Sequence, residues 1–287
     1  MGTPAISVCI PAFNAAPWIG ATIESVLAQS RHDFELLVLD DASQDETLSL
    51  VRRYRDPRIR VLAHDTNKGA AATWNHLLRE AAGQYVKLLC CDDLLYPSCL
   101  ERQAAIFDAP GNQAVTMVCS PRDIIDETGR VIFRRRGLTK PGRFSGRSLI
   151  RKIVASGRNM SGEPVTVLFR RDVALAAGGF DATNPYCIDV DMWCRLLSQG
   201  DLVVAPEVAG AFRVSPTAWS TRLARKQAAQ DRAFFARIRE QLEPTIPRWM
   251  MWAGQARCTI DATLRQAIYA WLRLHRSQAT GTREIQR

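Results

Sequence analysis

Several patterns are missing from this 287-residue sequence, and each absence excludes a class of protein. No apolar run approaches the roughly 20 residues that a membrane-spanning helix needs, so no spanning segment is predicted. No G-x-G-x-x-G segment follows a predicted strand, which disfavours a dinucleotide-dependent dehydrogenase, and no P-loop is present. The eight cysteines contain no C-x-x-C pair and have no His nearby at zinc spacing, which argues against a zinc-binding module.

Acidic residues are scarce in two stretches of the chain. Ten Lys and Arg lie between Glu127 and Glu163 with no acid among them. Residues 221–287 hold thirteen basic and five acidic side chains, and so carry +8 of the formal net charge of +9. Solvated surface is the usual explanation of one basic cluster, but two separate clusters favour an anionic partner.

The cysteines and the N-terminus indicate the compartment. Most of the cysteines fall in apolar runs, where they are predicted to be small buried side chains and not disulfide partners. Met1–Ala5 lacks the basic n-region of a signal peptide and leads directly into a strand-like run. A cytoplasmic location is therefore expected.

Two short apolar runs end abruptly in paired aspartates. The pairs are Asp40 and Asp41 after Phe34–Leu39, and Asp92 and Asp93 after Tyr85–Leu89. Continuous apolar character over this length is typical of a strand buried on both faces, as in a parallel sheet. The carboxyl ends of such strands form the ligand-binding edge of an open α/β sheet. A divalent cation, Mg²⁺ or Mn²⁺, carrying a phosphorylated ligand would relieve the repulsion between paired carboxylates. The alternative is that these aspartates cap the following helices, and Ser43 with Glu46 is predicted to form such a capping box.

Predicted strands and helices alternate through residue 107. This alternation predicts an α/β fold with a doubly wound, mostly parallel central sheet flanked by helices. Past residue 110 the pattern loosens, and Arg134–Arg147, rich in Gly and Arg, is predicted to be a flexible basic loop of the kind that forms lids.

The last part of the chain has a different pattern. We divide the sequence into residues 1–216 and a basic, amphipathic helical extension, residues 217–287, with predicted helices at 217–241 and 248–276. An apolar stripe in the second helix comprises Trp249, Trp252, Ile260, Leu264, Ile268 and Trp271. A basic helix of this kind can lie on an anionic membrane surface. Packing against the rest of the chain, or against a second copy in a homodimer, is the alternative.

Several separated motifs resemble those of the family 2 glycosyltransferases, which are inverting enzymes with the GT-A fold. The matching segments are Ser7–Asn14, Leu39–Thr47, Asn67–Gly69, Trp74–Asn75, Gly83–Val86, Cys91–Asp93, Gly178–Asp181 and Asp189–Leu196. They follow one order over about residues 5–215, which is far more specific than any single pair of residues.

The resemblance implies a role for each matching residue. The nucleotide-binding residues that it implies are Pro11, Phe13, Asn14, Asp41, Asn67, Gly69 and Asp92. Asp41 would accept hydrogen bonds from the nucleotide base. Asp92 would lie by the ribose and the metal, and Asp93 would ligate a divalent ion that bridges the diphosphate. Asp189 would be the general base that deprotonates the acceptor hydroxyl.

Three positions depart from the family pattern. Cys90 occupies the first position of a strict D-x-D motif, and Ile188 precedes Asp189 where many relatives have Glu. Ser215 stands where relatives often have His, two residues after Arg213. None of these departures removes the expected base or the expected metal aspartate.

The sequence thus predicts a metal-assisted, inverting glycosyltransferase that uses a nucleoside-diphosphate sugar, such as a UDP-sugar, and Mn²⁺ or Mg²⁺. The expected acceptor is a hydroxyl of a cell-surface glycan or of a lipid-linked saccharide, reached from the cytoplasm, with peripheral attachment at the inner face of the membrane. No nucleic-acid partner is expected. The alternatives are a nucleotidyltransferase that uses paired Asp and Mg²⁺, and a non-catalytic sugar- or lipid-binding relative.

Overall fold

The computed structural model describes residues 3–135, 140–214, 227–260 and 263. Several positions of the sequence analysis lie outside the described residues: Ser215, the middle of the expected basic loop at 136–139, the first residues of the extension, and the stripe residues Leu264, Ile268 and Trp271.

Two sheets contain the twelve strands found among the described residues, numbered here in chain order. The main sheet holds β1 (Ile6–Ala12), β2 (Phe34–Asp40), β3 (Ile59–Ala63), β4 (Tyr85–Leu88), β6 (Val115–Cys119), β9 (Gly142–Phe144), β10 (Val167–Arg170) and β11 (Asp201–Val204). The smaller sheet holds β5 (Leu94–Leu95), β7 (Arg122–Ile125), β8 (Val131–Arg135) and β12 (Gly210–Arg213). Their orders are β3-β2-β1-β4-β10-β6-β11-β9 and β5-β12-β7-β8.

Helices cover the main sheet and continue into the extension. They are α1 (Ile19–Leu27), α2 (Thr47–Val51), α3 (Ala70–Glu80), α4 (Cys99–Asp108), α5 (Gly146–Ser156), α6 (Arg171–Ala176), α7 (Ile188–Leu197), α8 (Gln227–Arg237) and α9 (248–260). Short 3₁₀ turns lie at Pro164–Thr166 and Pro185–Cys187, and α8 continues as a π-helical segment, Ile238–Leu242.

The first four strands confirm the expected mostly parallel sheet. β1 pairs in parallel with β2 and β4, and β2 pairs in parallel with β3. Alternate residues of these strands point to opposite faces, so Val8 and Ile10 join one apolar core while Cys9 joins the other. β1, β2 and β4 are buried on both faces, which is why they appear in the sequence as continuous apolar runs, whereas the edge strand β3 is only partly buried. β10 interrupts the parallel pattern, because it runs antiparallel to both β4 and β6.

Two local predictions need correction. The capping box of Ser43 and Glu46 is wrong, because the N-cap residue of α2, Glu46, makes no capping hydrogen bond with its side chain. Instead the Asp45 carboxylate accepts the N–H of Thr47 at 3.0 Å, while the Ser43 hydroxyl accepts the N–H of Asn14 at 2.9 Å. The expected basic loop is partly regular structure. It begins in β8, contains β9, the edge strand of the main sheet, and ends in the first turn of α5.

The described part of the extension packs against the rest of the chain. Phe234, Phe235 and Ile238 are at most 2% exposed and belong to the same apolar core as α5 and α7. Helix α9 approaches α5 so closely that a Cβ at Gly254 would collide with the carbonyl oxygen of Val154. Within the described ranges, no helix has the length and apolarity needed to cross a membrane.

Candidate active site

The carboxyl ends of β1 and β2 hold the first group of expected nucleotide-binding residues. Asn14, just past β1, adopts a left-handed backbone with φ of 50° and accepts the N–H of Gln44 on its side-chain oxygen at 2.8 Å. The N–H of Ala15 donates to the Thr47 hydroxyl at 2.7 Å. These bonds join the segment after β1 to the segment after β2, so the two motifs form one continuous edge.

The exposed residues of this edge leave space for a ligand. Phe13 is 44% exposed, Asn14 is exposed and Pro11 is partly exposed. An aromatic ring presented to solvent beside hydrogen-bonding groups suits a flat heterocycle, because such a ring can stack on it. These three residues therefore lie where the sequence predicts a nucleotide, and their binding role stays a prediction.

Asp41 is buried, and protein donors already surround its carboxylate. One oxygen accepts the N–H of Lys68 at 2.8 Å and lies 2.7 Å from Nδ1 of His64, and the other accepts the N–H of Gly69 at 2.9 Å. Burial acts to raise the pKa of Asp41, but these hydrogen bonds outweigh it and the pKa lies below its ordinary value. The Thr73 side chain also lowers this pKa by hydrogen bonding, so protein donors surround the carboxylate on every side and contact with a base stays a prediction.

Asn67 and Gly69 belong to the same cluster. The Asn67 side-chain amide donates to the carbonyl oxygen of Asp41 at 3.2 Å. Gly69 has φ of +82°, a conformation that favours glycine, and immediately precedes α3. Both residues thus hold the loop before α3 against Asp41, and contact with a nucleotide is an additional role that stays predicted.

Asp92 and Asp93 follow β4 and occupy different environments. Asp92 is partly exposed, whereas Asp93 is fully buried. One Asp93 oxygen accepts the backbone N–H of Arg213 at 2.9 Å, and the other, Oδ2, is buried without any hydrogen-bond partner. Burial raises the pKa of both carboxyls, and the neighbouring Asp92 raises that of Asp93 further. The pair therefore gains stability from a positive charge or a proton.

Arg213 holds this pair in place, and the sequence analysis assigned it no role. Its side chain is buried and donates to the carbonyl oxygens of Asp92 (2.8 Å), Asp126 (2.9 Å) and Glu127 (3.1 Å). These bonds tie the end of β12 to the aspartate turn and to the turn between β7 and β8. They join residues about 90 to 120 positions apart, so no local signal in the sequence could indicate them.

Asp189, the expected base, lies in the first turn of α7. One carboxylate oxygen accepts the N–H of Val190 at 2.7 Å and the other accepts the side-chain amide of Asn159 at 3.2 Å. Burial raises the pKa of Asp189 to about 7, and the negative charge of Glu163 also raises it. A carboxyl group that titrates near neutrality is suited to general-base catalysis.

Glu163 and Arg122 act electrostatically on both the expected base, Asp189, and the buried Asp93. The two side chains form a salt bridge, and Arg122 is almost fully buried. Glu163 raises the pKa of both Asp93 and Asp189, while Arg122 lowers it. The family pattern places a Glu directly before the base, where this chain has Ile188. Glu163 thus supplies a carboxylate next to Asp189 from a different segment, which the sequence analysis missed because only the fold brings the two together.

Asp191, two residues after Asp189, is the next carboxylate that could act as the base, but its surroundings argue against that role. Its side chain is 2% exposed. One oxygen pairs with Arg195, one turn further along α7, and the other with Arg237 of α8. Both oxygens are therefore occupied by cations, and a substrate hydroxyl has no access to them.

The segment Gly178–Asp181, which the family resemblance places on the acceptor side, forms a turn that packs against α3. Gly178 and Gly179 have φ of 86° and 73°. The Asn75 side chain accepts the N–H of Phe180 at 2.7 Å and donates to its carbonyl at 2.8 Å. The Phe180 ring meets Trp74 edge to face, with centroids 5.1 Å apart. Two motifs about 105 residues apart thus support each other and hold the segment that leads to α7.

The family model for glycosyl transferase family 2 matches residues 7–173, which is more than half of the chain. A Mycobacterium tuberculosis protein, uncharacterised MT1568, is 32% identical over 229 residues, which cover 77% of this chain and 70% of that protein. The Escherichia coli UDP-Glc:alpha-D-GlcNAc-diphosphoundecaprenol beta-1,3-glucosyltransferase WfgD is 39% identical over 101 residues, which cover 35% of this chain and 40% of the enzyme.

Solved structures share the fold at low sequence identity. S. aureus TarS 1–349, in complex with UDP-GlcNAc, superposes with a TM-score of 0.62 at 18% identity over 84% of this chain and 74% of that one. The Pyrobaculum calidifontis mannosyltransferase PcManGT, in complex with GDP-Man and Mn²⁺, gives 0.60 at 18% identity over 98% of this chain and 84% of that one. At this identity the likeness concerns the fold, and it confirms the expected GT-A type of α/β architecture.

Proposed function

Because this chain belongs to glycosyl transferase family 2, we propose that it transfers a sugar from a nucleoside-diphosphate sugar to an acceptor hydroxyl with inversion, and that Asp189 is the general base. Membership of this family favours sugar transfer over the nucleotidyl transfer that paired aspartates alone left open. UDP is the nucleotide that we propose, since TarS binds UDP-GlcNAc and WfgD is named for UDP-Glc.

The observation that carries this proposal is that one salt bridge, between Glu163 and Arg122, acts electrostatically on both Asp189 and Asp93. Asp189, with a pKa raised to about 7, can take the proton from the acceptor oxygen as that oxygen attacks the sugar carbon. Direct attack by the acceptor breaks the bond from the sugar to the diphosphate in one displacement, so the configuration at that carbon inverts. Asn159 fixes the rotamer of Asp189 by donating to one of its oxygens.

The carboxylates after β4 have the chemistry that a divalent ion requires. The buried Oδ2 of Asp93 has no hydrogen-bond partner, and the pKa of each carboxyl is raised, so a cation would satisfy both groups. Nowhere in the described ranges do three or more His, Cys, Asp or Glu side chains cluster as a metal site. Asp92 and Asp93 would therefore hold the ion together with the donor phosphates, as is common for Mg²⁺. A bound ion would stabilise the charge that grows on the leaving diphosphate.

The acceptor that we propose is a growing cell-surface glycan or a lipid-linked saccharide, at the cytoplasmic face of a membrane. The name of WfgD, whose acceptor is attached to diphosphoundecaprenol, supports this class. The acceptor hydroxyl would enter beside Asp189, at the N-terminus of α7 and next to the loop that ends in Glu163.

A panel of nucleoside-diphosphate sugars tests the donor. With Mn²⁺ present, we expect one or a few donors to raise the melting temperature and to release their nucleotide, with slow hydrolysis when no acceptor is supplied. NMR of the product would then show whether the configuration at the anomeric carbon is inverted relative to the donor. If no donor shifts the melting temperature and none is consumed, the proposal is wrong.

Variants of the aspartate pair test the metal. We expect Asp92→Asn and Asp93→Asn to lose the part of the nucleotide affinity that depends on Mn²⁺, measured by isothermal titration with and without a chelator. Asp65→Asn is the matched control, because Asp65 is an exposed carboxylate. Unchanged Mn²⁺ dependence in both site variants would place the ion elsewhere.

A further inference from the structure

One side of α9 presents large apolar side chains to solvent. Trp249, Trp252 and Ile260 are 62%, 67% and 64% exposed. At about 100° per residue they fall within about 80° of one another around the helix axis. Gly254 and Cys258, on the opposite side, are buried against α5 and the residue that follows it. We refer to Trp249, Trp252 and Ile260 as the α9 stripe.

Arginines border the α9 stripe on both sides. Arg248 and Arg257 are exposed, and they lie about 100° before and about 80° after Trp249 around the axis. No ion pair within the described ranges involves Arg248 or Arg257. A helix with an aromatic apolar strip between basic edges has the composition of one that lies in the interface of an anionic bilayer.

A cavity adjoins one end of the stripe. It has a volume of about 270 Å³ and is lined by Ser156, Arg158, Arg257 and Ile260. Two of its lining residues are arginines, and the planar fork of Arg matches the geometry of phosphate oxygens. The cavity can therefore hold a phosphate group next to the α9 stripe, whose apolar side chains can contact lipid acyl chains.

We propose that the α9 stripe and this cavity dock the protein on an anionic phospholipid surface, with the stripe at the level of the headgroups and a lipid phosphate in the cavity. The proposal rests on the proposed function, because it names the surface that brings Asp189 to a lipid-linked acceptor. The basic excess of residues 221–287, +8 in all, adds attraction to the same partner.

A second copy of the chain fits this face less well than a bilayer. In a two-fold symmetric dimer the same patch meets itself, so the arginines of one copy would approach those of the other. Like charges brought together in this way oppose association, whereas an anionic surface neutralises them. Trp also has a particular preference for the membrane interface, where its ring is buried and its N–H stays hydrated.

Vesicle co-sedimentation of the full chain, without donor, tests the proposal. We expect binding to vesicles of equal parts phosphatidylglycerol and phosphatidylcholine at low salt, release at high salt, and no binding to phosphatidylcholine alone. Arg158→Gln combined with Arg257→Gln should weaken binding about 30-fold, since each basic residue near the surface contributes about 1 kcal/mol and 1.4 kcal/mol is tenfold. Trp249→Ala combined with Trp252→Ala should weaken it at least about tenfold.

Matched variants separate this surface from general effects. Arg52→Gln removes one exposed charge elsewhere, and Leu175→Ala trims an exposed apolar side chain on α6; both should bind vesicles like the unaltered chain. Point variants are used because residues 227–258 contribute to the core, so truncation would confound binding with unfolding. Equal losses in the control and surface variants would overturn the proposal.

Two further outcomes would also overturn it. One is a protein that ignores the vesicles and sediments as a dimer dissociated by Trp249→Ala and Trp252→Ala, in which case the stripe is a contact between copies. The other is binding that persists at high salt and on phosphatidylcholine. Nucleotide titration of the same variants keeps the two proposals distinguishable, because docking variants should bind the donor normally even where vesicle binding is lost.

Discussion

Asp189 and Asp191 lie two residues apart on α7 and meet opposite environments. The oxygens of Asp191 face Arg195 and Arg237, whereas those of Asp189 receive only an amide N–H from Asn159 and the N–H of Val190. Arg195 and Arg237 leave neither Asp191 oxygen open to a substrate hydroxyl, whereas burial raises the pKa of Asp189 to about 7. At the scale of single residues, this difference selects Asp189 as the base.

Replacement of the base should separate chemistry from binding. In Asp189→Asn, we expect sugar transfer to fall by about 10²–10⁴-fold, the usual range for loss of a general base, with donor affinity nearly unchanged. Steady-state transfer and donor titration measure the two effects. Asp172→Asn is the matched control, because Asp172 is an exposed carboxylate in the first turn of α6. Full transfer by Asp189→Asn would reassign the base.

The pH profile should report the same group. Because burial raises the pKa of Asp189 to about 7, the carboxylate is available above that pH and is protonated as the pH falls through it. We therefore expect kcat/KM to rise with pH and to reach half its plateau near pH 7. If kcat/KM does not change between about pH 5 and pH 8, the assignment of Asp189 as the base is contradicted.

A neighbouring variant should move this profile. Glu163→Gln removes a negative charge that raises the pKa of Asp189 and leaves Arg122, which lowers it, so the half-maximal pH should shift downward. Glu24→Gln serves as control, since Glu24 lies on α1 and is not among the groups that act on the pKa of Asp189. An unchanged midpoint in Glu163→Gln would mean that Glu163 exerts no electrostatic effect on the base.

At the scale of elements, α8 clamps the segment that carries the base. Arg237 forms salt bridges with Asp181, in the acceptor-side turn, and with Asp191 on α7. Gln230 accepts the N–H of Tyr186 at 2.6 Å, just before α7 begins. A helix from the extension thus fixes the position of the first turn of α7.

Loss of this clamp should cost stability. Arg237→Met leaves the buried Asp191 with one cation in place of two, and removal of one partner from a buried ion pair typically costs about 3 kcal/mol. The free energy of unfolding in urea measures the change. Arg232→Met, at an exposed position of the same helix, should stay within about 0.5 kcal/mol of the unaltered chain. Equal stability of the two variants would show that the Arg237 pairs contribute nothing net.

At the scale of the whole molecule, the extension and the α/β part share one core. Among its described residues, the extension buries four large side chains there: Phe234, Phe235, Ile238 and Ile246. Each contributes about 1.5–3 kcal/mol, so together they match the net stability of a typical domain, about 5–15 kcal/mol. The division at residue 216, drawn from the sequence, therefore crosses an apolar core.

Truncation should reveal this dependence. We expect a chain of residues 1–216 to lose cooperative unfolding and to expose apolar surface, measured by urea titration and by binding of an apolar dye. A chain that ends at residue 263 keeps all four side chains and should unfold cooperatively. Cooperative unfolding and normal donor binding by residues 1–216 would instead support an independent extension.

The sequence by itself determined the first half of the fold and the edge that carries the candidate site. Strands β1, β2 and β4 are covered on both faces, so their burial is recorded locally as short apolar runs. Paired aspartates at the ends of two such runs, and motifs in a fixed order, indicated the family that the comparisons then showed. These features can be predicted from the sequence because each depends on residues that are neighbours in the chain.

Tertiary structure alone decided how the distant segments meet. Glu163 and Arg122 are 41 positions apart, and Arg213 binds Asp93 across 120 positions, so no spacing rule predicts either contact. The same holds for Asp191, which looked like a second base until two cations proved to occupy it. The periodicity of the extension showed an apolar face but could not tell core from exposed surface, because that depends on which side of the helix meets α5.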